Sequence, residues 1–315
     1  MIDQGALFNS VFIMFLMIIP GFLMRKSHLA DGALGKGLAN TILYATQPAM
    51  IITAFVRDYD ANIMRTAAAV FLFSFIAHLL FYIIARQCFK KTPLAQKKVL
   101  QFALVFSNAG YLGIPLLRMA FPASPEVVMY AAVYCICFNV FTWSLGALIF
   151  TDDKKYINAK HILLNPASIP TYIGILIFLL PIKQYIPTVI NEGMNTLAGA
   201  VAPLAMIMIG LRLAEVSFRS VFTDWRMLPF LAMRHFLLPA LIWVIMKLLV
   251  LAGVGFIDDM VMKVILICSA TPAAAATGIF AEKFNGDTVY ASKIVSISTV
   301  LSLATIPIVA LLLNI

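Results

Sequence analysis

The feature that most constrains this chain is a succession of apolar runs, each about as long as a bilayer is thick. A helix rises 1.5 Å per residue, so about 20 apolar residues cross the hydrocarbon. Such runs are read at 6–24, 36–56, 66–85, 99–121, 127–150, 166–182, 193–213, 227–250, 260–281 and 289–313. They are numbered here as predicted spans 1 to 10. Polar punctuation separates them: Arg25-Lys26, Arg57-Asp58, Lys90-Lys91-Thr92-Pro93, Asp152-Asp153-Lys154-Lys155 and Asp258-Asp259. Only 12% of the residues are charged and 62% are apolar, against about 25% charged in a soluble domain. A soluble globule cannot bury that much apolar surface, and a disordered chain would not carry it. No segment between the runs is long enough for a soluble module. The sequence predicts one all-α integral membrane domain.

The formal net charge of +9 invites a nucleic-acid reading. The basic residues sit at span ends instead, where membrane orientation explains them. Odd-numbered loops hold fifteen Lys and Arg, among them Arg212, Arg219 and Arg226; even-numbered loops hold Arg57, Arg65, Arg118 and Lys183. The positive-inside rule then puts odd loops in the cytoplasm and both termini outside, in the cell's inner membrane. The amino terminus lacks the basic flank and cleavage site of a signal peptide, so the first run is read as a retained span. The four cysteines show no CxxC spacing, so neither a disulfide framework nor a zinc site is expected. No other metal or cofactor is expected either.

The two halves echo each other. Span 2 carries Asn40-Thr41 and then Pro48; span 7 carries Asn195-Thr196 and then Pro203, at an offset of 155. Leu16-Met17-Ile18-Ile19-Pro20 matches Ile177-Phe178-Leu179-Leu180-Pro181, and His78 matches His235, at similar offsets. Five spans is an odd number, so the second half must enter with opposite polarity. That arrangement, an inverted repeat, is common among secondary carriers. The repeats are read as 1–150 and 166–315, joined by a short cytoplasmic linker, 151–165.

The fourth span of each half is interrupted near its middle. Span 4 reads Ser107-Asn108-Ala109-Gly110-Tyr111-Leu112-Gly113-Ile114-Pro115; span 9 reads Cys268-Ser269-Ala270-Thr271-Pro272 followed by four alanines. Glycine and proline weaken a helix and free backbone groups. Within hydrocarbon those groups must find partners or line a polar cavity. A broken helix also presents a half-helix N-terminus, whose free N–H groups and positive dipole end suit an anion. A proline kink with a packing glycine is the ordinary alternative for one span. Two interruptions at equivalent repeat positions point to a carrier's binding site.

These runs, with Gln47-Pro48-Ala49 in span 2, resemble the auxin efflux carrier family in its bacterial form over essentially the whole chain. The resemblance implies a fold like sodium/proton antiporters and bile-acid-type symporters: two inverted five-helix repeats with spans 4 and 9 crossing at their breaks. It implies a scaffold of spans 1, 2, 6 and 7, a mobile transport part of spans 3–5 and 8–10, and a homodimer through the scaffold. It implies organic-anion substrates, auxin-like or malate- and malonate-like, with Asn108 and Pro272 in the crossover role. The plant members carry a long central loop that this chain lacks.

All 14 acidic residues lie at span ends or in loops, which argues against a buried carboxylate trading protons for sodium. Arg234 lies inside span 8. It is read either as snorkelling to the headgroups or as a counter-charge for a substrate carboxylate. His78 and His235 are proton-coupling candidates or hydrogen-bonded structural histidines. The expected substrate-binding set is Asn108, Ser107, Gly110, Tyr111, Pro115, Ser269, Thr271 and Pro272 at the breaks, with Asn40, Gln47 and Arg234 around them. Asn40 and Gln47 serve equally well as helix glue, and Tyr44 and Tyr111 as aromatic walls. The function expected is alternating-access transport of a small organic anion, coupled to protons or sodium. A sodium symporter of the bile-acid type is the alternative. A channel or sensor ranks lower, and an enzyme last, because no HExxH, GxSxG or buried acidic pair is present.

Overall fold

The computed structural model describes residues 4–157, 159–164, 168–180, 182–215, 224 and 226–312. Regular structure there is helical; the one strand-like feature among the described residues is an isolated antiparallel bridge between Ser107 and Ala273. Six helices are long and apolar enough to cross a membrane: Leu7–Lys26, Ala61–Gln87, Val127–Thr151, Thr188–Leu213, Met227–Leu251 and Thr288–Leu312. They are predicted spans 1, 3, 5, 7, 8 and 10. Predicted span 6 is the shorter helix Ile169–Leu179. Span 2 runs through Gly32–Thr41, a widened turn at Ile42–Thr46, and Gln47–Phe55. Spans 4 and 9 are broken. Pro181 of the repeat comparison and Arg219 of the charge count lie outside the described residues.

Acidic residues start several helices. Asp31 accepts from the N–H of Ala33 and Leu34, Asp60 from Asn62 and Ile63, and Asp258 from Val261. Each satisfies donors that the first helical turn leaves free. Hence acids crowd the span ends, and none is needed inside.

Three spans widen into a π turn at the same distance before a proline. The turns are Ile42–Thr46 before Pro48, Ala109–Gly113 before Pro115, and Met233–Leu237 before Pro239. Proline has no N–H, and its ring clashes with the carbonyl four residues earlier. The preceding residue reaches back five instead: Gln47 N–H to Ile42 O, Ile114 to Ala109 and Leu238 to Met233. A wider turn relieves the clash and re-pairs the backbone, which lipid demands. A fourth π turn, Thr142–Gly146, has no such proline.

Span 1 packs along the second half of span 7 with backbones in contact. A methyl on Gly21 would lie 2.1 Å from Ile207 O, and one on Gly210 would lie 2.2 Å from Ile18 O. Small residues permit this approach in membranes, where packing must replace the hydrophobic drive. The second half of span 2 packs on spans 6 and 7. The first halves of the broken spans run deep into the protein. Val99–Val105 and Val261–Ala270 are buried throughout, Gln101 and Lys263 included.

Candidate functional site

The helix Leu94–Val105 ends where Phe106 turns extended, and Asp259–Ala270 ends at Thr271, also extended. Pro272 drives the second stop, since it pushes the residue before it out of the helical region. The two extended stretches lie antiparallel and pair. Asn108 N–H donates to Pro272 O at 2.8 Å, and Ala274 N–H donates to Phe106 O at 2.9 Å. Ala273 N–H donates to Ser298 Oγ of span 10 at 3.1 Å. Backbone groups released by one break are thus satisfied by the other, deep in the protein.

The first halves of both broken spans end at this crossing, and their last carbonyls make two negative poles. Arg234 meets both. It sits in the π turn of span 8 and is 0% exposed. Its NH1 donates to Leu104 O at 3.0 Å; its NH2 donates to Ser269 O at 2.9 Å and Thr271 O at 2.8 Å; its Nε donates to Thr271 O at 3.2 Å. The fork of a guanidinium suits such convergent acceptors. Thr271 Oγ1 donates to Cys268 O. Among the described residues Arg234 has no carboxylate partner, and its charge is held by carbonyl dipoles. Its complete burial excludes snorkelling. Its recorded bonds turn toward the backbone.

The second halves, Ala109–Ala120 through its π turn and Ala276–Lys283, begin at the same crossing, just beyond two residues that line a narrow cavity. Asn108 and Ala275 line it from the breaks, Met208, Ile209, Arg212 and Leu213 from span 7, and Val295, Ser296 and Thr299 from span 10. Its volume is about 20 Å³, room for about one water. The side-chain amide of Asn108 has no hydrogen-bond partner among the described residues. Among the described residues, no acidic side chain lines the cavity.

Of the expected binding residues Asn108 lines this cavity, and several others lie around the crossing instead. Gln47 is buried, and a methyl on Gly110 would lie 3.3 Å from its Nε2. Gly113 faces Thr271 in the same way, at 3.4 Å from Cγ2. Pro272 supplies a bridge carbonyl, Pro115 is buried below the π turn, and Tyr111 is half-buried in it. Ser107 and Ser269 are buried, with Ser107 Oγ 3.4 Å from the Tyr134 hydroxyl. Asn40 does not join them; it is exposed on span 2.

The two histidines are buried on either flank. Nδ1 of His78 lies 2.7 Å from Ser74 O, inside a ring of Phe106, Tyr134, Phe138 and Phe141. Nδ1 of His235 lies 2.9 Å from Thr305 Oγ1. Neither lines the cavity.

Sequence reading missed Arg212 and the hydroxyls of span 10. In the sequence Arg212 reads only as a loop charge. Ser296 and Thr299 are three apart in an apolar helix, which puts them on one face, and Ser298 holds the break. That spacing was the available signal.

A membrane-embedded helical chain with a broken, crossed pair of helices at its centre has the architecture of a transporter. A family model described as membrane transport protein matches residues 6–310. The chain belongs to that family, the auxin efflux carrier family. It is 25% identical over 309 residues to an uncharacterized transporter of Methanocaldococcus jannaschii, covering 94% of this chain and 95% of that protein.

Proposed function

We propose that this transporter is a secondary carrier of a small organic anion, working by alternating access at the crossing of spans 4 and 9. The reading includes ten spans in two inverted repeats, a scaffold of spans 1, 2, 6 and 7 that dimerises, and a moving part of spans 3–5 and 8–10. One observation carries it: the charges of the crossing are compensated on one side only. Arg234 neutralises the negative poles, while the second half-helices start beside a cavity lined by Asn108 and Arg212 with no carboxylate among the described residues. A carboxylate is the ligand that completes such a site.

The same observation weighs against the sodium-symporter alternative. Sodium held at the breaks would need free backbone carbonyls. Those of Leu104, Ser269 and Thr271 accept from Arg234, that of Cys268 from Thr271, and those of Phe106 and Pro272 from the bridge, which leaves fewer for sodium, those of Ser107 and Ala273 among them. Proton coupling through the substrate's own carboxyl needs no buried acid.

The test is uptake into proteoliposomes offered labelled malate, malonate, succinate, lactate and indole acetate under imposed proton or sodium gradients. Saturable uptake of at least one anion is expected, falling at least ~10-fold in Asn108→Ala with intact folding, the loss of about one charge-assisted contact. Unchanged transport in that variant refutes the role of Asn108. Failure of every anion under every gradient refutes the anion reading.

A further inference from the structure

The crossing explains how an anion's charge is welcomed at mid-membrane, but not what counts that charge on the way in. Arg212 is the one charged side chain lining the cavity beside Asn108. It is exposed near the end of span 7, and no ion pair or side-chain hydrogen bond holds it among the described residues. A basic residue at a span end ordinarily faces headgroups. The other half of the molecule argues for more.

Arg57 and Arg212 are 155 residues apart, the same offset that relates Asn40 to Asn195 and Pro48 to Pro203. Both arginines end the second span of their half. Arg57 also lines a cavity, of about 320 Å³, between span 2, span 7 and the end of span 4, shared with Arg118 and Asn195. There Arg57 NH1 donates to Glu126 Oε2 at 3.2 Å, joining span 2 to the start of span 5, while its Nε donates to Ala54 O. At this position, then, the molecule itself places a carboxylate on the arginine. At the equivalent position Arg212 has the same chemistry, a neighbouring Asn108 and no such partner among the described residues.

We propose that Arg212 is a carboxylate-binding residue of the transport site, reading the substrate's charge at one mouth of the cavity. Arg57 is its counterpart in a separate cavity of the other half, where Glu126 takes the substrate's place. Arginine fits this task because its fork holds a carboxylate through two parallel bonds. The inference rests on the organic-anion reading and adds to it the residue that selects for charge. It also narrows the substrate class: a dicarboxylate can engage Arg212 and Asn108 at once, while a neutral amide of the same shape engages Asn108 alone.

The experiment is ligand-induced thermal stabilisation of the purified full-length protein, titrated with malonate, malate, succinate, lactate and indole acetate, and with malonamide as the neutral probe. Wild type, Arg212→Gln, Arg212→Lys, Asn108→Ala and the exposed-surface control Lys36→Gln are compared, each first checked for a monodisperse folded profile. The expected result is stabilisation by at least one carboxylate and none by malonamide. Half-saturation should rise at least ~10-fold in Arg212→Gln, less in Arg212→Lys, and not at all in Lys36→Gln. If carboxylates stabilise the wild type and Arg212→Gln alike while Asn108→Ala loses the effect, the organic-anion reading stands and the role of Arg212 is overturned. Arg212 is then a headgroup cation. If no carboxylate stabilises the wild type, both readings fall together. If Arg212→Gln does not fold, the Lys variant decides, since a charge reader must keep part of the response there.

Discussion

The two sides of the crossing are built from the same backbone and end in opposite chemistry. On one side, the carbonyl ends of the first half-helices are met by a fully buried arginine making four hydrogen bonds. On the other, the second half-helices start beside a cavity with an amide and an exposed arginine. The first side is finished within the protein; on the proposed reading the second is finished by a ligand. On that reading the contrast separates the charge a carrier keeps permanently from the one it borrows. A half-helix pole is worth about half an elementary charge, and leaving it uncompensated in a low dielectric is costly. A protein that fills both sides has no site. One that fills neither pays a stability penalty at its centre.

The largest expected effect is on the finished side. Arg234→Met leaves three buried carbonyls without donors, a loss of about 3 kcal/mol or more. Unfolding in detergent should shift down by roughly 5–10 °C, and Arg234→Lys, with three donors, should recover part of it. A variant as stable as wild type would break the comparison, because the negative poles would then need no cation. Next comes the open side, where Asn108→Ala should lose transport while keeping its melting temperature within about 2 °C, since its amide bonds no described residue. A melting loss as large as that of Arg234→Met would show that Asn108 belongs to the structure rather than the site.

A smaller expectation sharpens the contrast further. With three carbonyls of the crossing accepting from Arg234 and two more from the bridge, replacing sodium by potassium should change initial uptake by less than about twofold. A strict sodium requirement would mean that a second cation enters where none is needed.

The smallest effect is predicted at the loop end, far from the crossing. Burial alone would raise the Asp224 carboxyl, but hydrogen bonds from the Arg226 side chain and backbone outweigh it and hold the group below its ordinary value. A depressed carboxylate adds stability above its unfolded pKa, ~3.9, and loses it only as pH falls through the lower folded value. Asp224→Asn should therefore leave the pH profile of stability unchanged between pH 5 and 8 and flatten only its acid limb. A shift in the neutral range would show that the pair is coupled to a group nearer the site.

How much of this was legible beforehand can be traced residue by residue. The apolar runs, the two breaks, the proline of span 9 and the acids at span ends were written in the chain, because each depends on local chemistry. Proline and glycine disrupt a helix whatever surrounds it, and about 20 apolar residues have few other places to go. Membrane residence, helical class and family membership followed from such features. What the linear order could not carry was direction in space. Nothing in Met233-Arg234-His235 says that the guanidinium turns inward to carbonyls 35, 37 and 130 positions away. That depends on the π turn before Pro239, which places the side chain, and on two other spans stopping just where it points. Arg212 was hidden for the converse reason. At the end of a span, a headgroup anchor and a binding residue look the same, and only the packing of span 7 against the Ala109–Gly113 turn sets it beside Asn108. The sequence by itself determined that the chain crosses a membrane on helices, two of them broken. The tertiary structure alone decided which charges meet at the breaks, because the hydrogen bonds that settle it join residues far apart in the chain.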